Sequence, residues 1–272
     1  MSTAEATVNI LGVPVGIYTM DTLVARLEEL IAAPGCAVAH GVNAHVINLT
    51  YHYPEFLKAL RQADLLYADG ASLILASRFL GNQLPEKLTT TDVWPRMCDL
   101  ALTRGYRFFL MGGEPSLAER AATQARRKYP HLQIVGTHHG YFDFRDEHLI
   151  ATINAARPDV LWVGMGDPRQ VLWATTWKPQ LQVPLVLTCG GMFKIVAGEL
   201  SRVSSRWRQS GFEWVYRLWQ EPATWRRTSW ACLFSGCGSW VSAWGAASAC
   251  PDPSGNPRPA DEGLLFQLSL RR

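Results

Sequence analysis

Val160-Leu161-Trp162-Val163-Gly164-Met165-Gly166-Asp167-Pro168-Arg169-Gln170 begins as an apolar run of strand length, breaks into glycine, polar and proline chemistry, and opens a helix-period stretch, Pro168–Trp177. A strand that ends this way and feeds a helix is half of a βα unit, and the unit recurs along the chain. Further apolar runs lie at Ala37–Val42, Leu65–Ala68, Tyr106–Met111 and Leu185–Thr188. Between them the spacing predicts helices over Pro54–Gln62, Ala71–Leu80, Ser116–Lys128 and Asp146–Ala156, with another opening at Thr91-Asp92. The expected fold is therefore α/β, a mostly parallel sheet flanked by helices.

In an open parallel sheet, ligands bind beyond the carboxyl ends of the strands. Each run here ends in polar or glycine chemistry: Asn43-Ala44-His45, Asp69-Gly70, Gly112-Gly113-Glu114-Pro115, Gly164–Gln170 and Gly190-Gly191-Met192-Phe193. One such loop is ordinary turn chemistry, but a series of them along one edge predicts a cleft.

Composition narrows the class. The chain has 272 residues, 48% of them hydrophobic, enough for one α/β domain with an appendage. A formal charge of +3 is too small to mark a nucleic-acid binder. The six cysteines show no paired metal spacing, and no secretory n-region and h-region opens the sequence, so a reducing cytoplasm is expected. Organisation is read as a core over residues 1–200, an arginine- and tryptophan-rich appendage over 201–230, and a Gly-, Ser- and Pro-rich disordered tail over 231–272. The appendage composition suits either a membrane interface or a surface helix whose tryptophans cap the core.

Asp69 is the sharpest chemical candidate and reads two ways. It is either a general base at the cleft or, with Gly70, a turn and helix cap. The Gly112-Gly113 and Gly164–Gln170 loops lead into helices, whose backbone N–H groups can hold a diphosphate or a sugar, yet neither is a P-loop or a dinucleotide fingerprint. His45 is a pocket candidate by position, whereas His138 and His139 read as loop histidines. No Asp-x-Asp triplet occurs, so no metal and no cofactor is expected. Charge on a leaving nucleoside diphosphate then has to be met by cations, and Arg217, Arg226 and Arg227 are the supply.

These motifs in order resemble the WecG/TagA/CpsF family of glycosyltransferases, from about Val8 to Trp230. The resemblance rests on Val42-Asn43 through Leu49, Ala68-Asp69-Gly70, Leu84-Pro85-Glu86-Lys87 with Thr91-Asp92, Leu110–Pro115, Tyr129-Pro130, Gly140-Tyr141-Phe142, Gly164–Gln170 with Trp173, Gly190-Gly191 with Phe193, and Gly211–Arg217 with Glu221-Pro222. It implies a Rossmann-like core and an inverting, metal-independent transfer from a UDP-sugar to a polyprenyl-diphosphate-linked sugar. The expected setting is the cytoplasmic face of the membrane, held peripherally by the appendage, with a homo-oligomer possible and no nucleic acid. By resemblance, Asp69 is the base, Asn43 and Gln170 touch substrate, and the appendage arginines meet the diphosphate. His45, Lys87, Gly112, Gly113, Gly166, Gly190 and Gly191 complete the expected substrate site. The chain departs from the family pattern at Gly41, where threonine is usual, Lys87 for arginine, Val171 for glutamate and Lys194 for aspartate. The stretch His40–His45 is most similar to the xanthan-type branch, which implies glucose transfer in exopolysaccharide synthesis. The alternatives are an N-acetylmannosaminyl-type transferase of cell-wall or surface-antigen synthesis and a non-catalytic membrane-bound subunit.

Overall fold

A computed structural model describes residues 6–81 and 83–200. In chain order the elements are β1 (Thr7–Ile10), β2 (Val13–Gly16), α1 (Met20–Ala32), β3 (Ala37–Val42), α2 (Ala44–His52), α3 (Pro54–Gln62), β4 (Leu65–Ala68) and α4 (Ala71–Phe79). There follow α5 (Thr90–Arg104), β5 (Arg107–Gly112), α6 (Leu117–Lys128), β6 (Gln133–His138), α7 (Glu147–Ala156), β7 (Val160–Gly164), α8 (Arg169–Trp177), β8 (Leu185–Thr188) and α9 (Met192–Val196).

The strands form an 8-stranded sheet in the order β1-β2-β4-β3-β8-β7-β5-β6. Only β1 and β2 pair antiparallel; every other neighbouring pair is parallel. The expected mostly parallel α/β fold is the observed one. The five runs read from sequence are five of the six inner strands, buried along almost their whole length because helices cover both faces.

Side chains alternate between two cores, as the pleat requires. Ala39, Tyr67, Leu110, Trp162 and Leu187 pack under α1, α5, α6 and α9 through Leu27, Trp94, Met97, Ala121 and Phe193. Val42, Leu66 and Ala68 pack on the opposite face with Val46, Phe56, Leu60, Leu73 and Val171. Trp162 is fully buried and meets Trp94 edge-on at 4.9 Å and Phe108 at 5.9 Å.

The strands that the run-based reading passes over are the two edge strands, β1 and β6, and β2 beside β1. β1 alternates exposed and buried, and β6 is half-exposed and polar, so neither carries a continuous apolar run. Local chemistry nonetheless fixes several helix starts: a Thr19/Thr22 capping box begins α1, Pro54 sits in the first turn of α3, and Thr89 caps α5. The appendage, the tail, and with them Arg217, Arg226 and Arg227 lie outside the described residues.

The path of the chain sets where the sheet opens. After β3 it passes to α2 and α3, on the face shared with α8, whereas after β8 it passes to α9, which packs on α5 and α6 of the other face. Adjacent strands whose connections leave in opposite directions define a topological switch point, with a crevice between their loops.

Candidate active site

Asp69 stands one residue beyond β4, half-buried, beside that crevice. Its backbone continues the strand: its N–H donates to the Val42 carbonyl at 2.7 Å, and it forms a parallel bridge with Leu88. The next N–H, of Gly70, donates to Leu88 at 2.7 Å. The N-cap of α4 is Gly70, at φ 98. Tyr67, two residues earlier, is buried with its hydroxyl 2.8 Å from Thr90 Oγ1, and its pKa is driven up by burial and then by the neighbouring Asp69 charge.

Asn43 closes β3 and caps α2, its Oδ1 accepting the Val46 N–H at 3.1 Å. His45 lies half-buried in the first turn of the same helix, and Lys87, also half-buried, immediately precedes the Leu88 that bridges Asp69. Asn43, Asp69 and Lys87 are thus collected by adjacent strand ends.

Across the crevice the glycines divide into two kinds. A Cβ placed on Gly166, Gly190 or Gly191 would meet nothing within 4 Å, so these residues border open space where a ligand can approach the backbone. Gly112 and Gly113 are different. A Cβ on Gly112 would lie 2.3 Å from the Gly164 carbonyl oxygen, and the Gly113 N–H already donates to that oxygen at 3.0 Å. The Gly113 carbonyl in turn accepts from Gly140 at 2.7 Å. These two glycines let the ends of β5 and β7 and the loop after β6 pack together.

Gln170 is 2% exposed and bridges two loops. Its Oε1 accepts the Gly190 N–H at 3.0 Å and its Nε2 donates to Asp167 Oδ1 at 3.1 Å. Sequence reading assigned this residue to substrate; the fold first uses it to join the turn after β7 to the turn after β8. Val171 is fully buried in the second core, so the apolar residue at this position serves packing and is turned away from the crevice.

Two residues of this region were not singled out from sequence. Arg169 opens α8, donates through Nη2 to the Phe142 carbonyl at 2.9 Å, and lies over the Phe142 ring. Phe142 also contacts His138 and Trp173 edge-on, which places His138, the last residue of β6 rather than a loop histidine, and its neighbour His139 on an aromatic cluster. His40 is 1% exposed inside β3, with Nδ1 2.6 Å from Thr188 Oγ1 and Nε2 3.7 Å from Asp167 Oδ1. Burial holds its pKa below the ordinary value, with Asp167 pulling the other way. It is hidden in the sequence because it reads as one polar residue within an otherwise apolar strand.

The arrangement offers a carboxylate and an amide on one side of a glycine-bordered crevice at the switch point. That suits proton removal from a hydroxyl next to a bound nucleotide or sugar. Among the described residues, no three His, Cys, Asp or Glu side chains group as a metal site, and no helix is long and apolar enough to cross a membrane.

Residues 8–241 match the model of the glycosyl transferase WecG/TagA/CpsF family. The chain is similar to the N-acetylglucosaminyldiphosphoundecaprenol N-acetyl-beta-D-mannosaminyltransferase of Staphylococcus aureus strain MW2, 28% identical over 224 residues, covering 82% of this chain and 87% of that protein. A protein of the same description from S. aureus strain NCTC 8325 / PS 47 is 28% identical over 214 residues, covering 78% of this chain and 84% of the relative.

Proposed function

Because the chain belongs to the WecG/TagA/CpsF family of glycosyl transferases, we propose that it moves an N-acetylmannosaminyl-type sugar from UDP to N-acetylglucosamine linked through diphosphate to a polyprenol. The observation that carries the reading is Asp69, held at the end of β4 beside a crevice bordered by Gly166, Gly190 and Gly191. The relatives' names favour this donor over the glucose expected from the His40–His45 stretch.

In the proposed step an acceptor hydroxyl attacks the anomeric carbon from the face opposite the diphosphate. Asp69 takes the hydroxyl proton as the new C–O bond forms, and the bond to UDP breaks with its electron pair leaving on the diphosphate. Asn43 and Lys87 flank the base, and the open glycine backbone receives the donor. Arg217, Arg226 and Arg227 would steady the leaving diphosphate from the appendage, without a metal and at the cytoplasmic membrane surface.

Purified protein is incubated with lipid-linked N-acetylglucosamine and, in parallel, UDP-N-acetylmannosamine and UDP-glucose. Transfer is expected from the first donor, unchanged by EDTA, and reduced on the order of 100-fold or more in Asp69→Asn. Absence of transfer from every UDP-sugar, or full activity in Asp69→Asn, would remove the proposal. Transfer from UDP-glucose alone would restore the glucosyl reading.

A further inference from the structure

His40 is the buried polar group that the proposed chemistry leaves without a task. It occupies the central strand β3, one position beyond the last registered pair of β3 with β8, where its neighbour is Thr188. Above it stands the turn into α8, which presents Asp167. Nε2 has no hydrogen-bond partner, and a buried nitrogen left in that state is a cost to the fold that an apolar side chain of similar size would avoid.

The contacts around it close on themselves. Thr188 Oγ1 meets His40 Nδ1 at 2.6 Å, and His40 Nε2 faces Asp167 Oδ1 at 3.7 Å. The same Asp167 oxygen accepts from Gln170 Nε2 at 3.1 Å, and Gln170 Oε1 accepts from the Gly190 N–H at 3.0 Å. Gly190 lies two residues after Thr188, which completes the ring. Three hydrogen bonds and one longer approach, 3.7 Å between His40 Nε2 and Asp167 Oδ1, thereby run between the strand ends and turns of the crevice. A carboxylate opposite Nε2 favours the tautomer with its proton on that nitrogen, so Nδ1 accepts from the Thr188 hydroxyl. That hydroxyl then points at the ring, away from its longer 3.4 Å contact with the Ala39 carbonyl.

We infer that His40 is a positioning residue for the donor crevice, holding Asp167 so that Gln170 keeps the Gly190 backbone at the crevice edge. Its use in catalysis rests on the proposed reading of that crevice; its structural action does not. His40 touches no reacting atom. It sets the place of Gly166, Gln170 and Gly190 and leaves Asp69 alone, so its loss acts on donor binding more than on turnover.

The full chain is compared as wild type, His40→Leu and His40→Gln. In His40→Leu the Gly190 amide is expected to exchange with deuterium about tenfold faster while the Leu110 amide of β5 is unchanged, because only the ring is opened. His40→Gln, whose amide can accept from Thr188 and donate to Asp167, is expected to restore most of that protection. With UDP-sugar, His40→Leu is expected to raise KM about tenfold and change kcat less than about threefold. Nitrogen NMR of wild-type His40 is expected to show the Nε2–H tautomer, which needs no variant to fold. Unchanged Gly190 exchange and KM in His40→Leu, or an Nδ1–H tautomer in the wild type, overturns the inference. If exchange responds as expected but the wild type transfers no sugar, the proposed function fails while the positioning ring stands.

Discussion

Replacing Gly41 with alanine tests whether the placement of Asp69 matters for turnover. A methyl group at Gly41 would stand 3.0 Å from both Cζ and the hydroxyl of Tyr67 and 3.1 Å from Asp69 Cβ. These approaches are a few tenths of an ångström too short, so something must yield. Tyr67 is buried and tied to Thr90, and Asp69 Cβ moves only with its backbone, so relief shifts the end of β4 against its ties to Val42 and Leu88 and carries the Asp69 carboxylate with it. Overpacking of this kind costs about 1–3 kcal/mol of stability. A displacement near 1 Å at a catalytic group can lower rate about 100-fold, so a shift of a few tenths is expected to lower kcat roughly tenfold with KM for donor little changed. The assay is steady-state transfer at saturating acceptor, with urea unfolding to show that the variant is folded. The double variant with Asp69→Asn should be no slower than Asp69→Asn alone, because both changes act on one group. A folded Gly41→Ala enzyme with kcat within about twofold of wild type, or an effect that multiplies with Asp69→Asn, would refute the reasoning.

Two further outcomes follow from the core. Trp162→Ala is expected to lower unfolding free energy by about 3–5 kcal/mol in urea titration, because a fully buried ring wedged against Trp94 and Phe108 is removed; a loss under about 1 kcal/mol would mean the space collapses freely. His40 should make stability depend on pH: the unfolded chain takes up its proton near 6.5 before the fold does, so the contribution is present above pH 6.5 and lost as pH falls below it. Stability is expected to fall between pH 7.5 and 5.5 more steeply in wild type than in His40→Gln, and identical pH slopes in the two proteins would exclude it.

The order of elements was legible where burial on both faces forces a continuous apolar run, as in Ala37–Val42, Leu65–Ala68 and Val160–Val163. The same rule located Asp69 and Asn43, because a polar residue directly after such a run must sit at the carboxyl edge of the sheet. The family was legible too, since its motifs are fixed in order along the chain and the family model matches over residues 8–241. The outer strands β1 and β6 were not, because one face of each meets solvent and the apolar signal thins.

Within the site, residue type and position determined that glycines and a carboxylate would gather at one edge; tertiary structure decided what each of them does. Gly112 and Gly190 look alike in sequence, yet one is packed against a carbonyl oxygen from a neighbouring strand and the other borders open space. Gln170 and His40 take their roles from Gly190, Asp167 and Thr188, partners from other strands and turns brought within hydrogen-bonding or electrostatic reach by the sheet order. Local spacing encodes which elements form, because periodicity is a property of neighbours along the chain. Which polar atoms meet across the crevice depends on the crossovers that set β3 beside β8, and no local pattern carries that information.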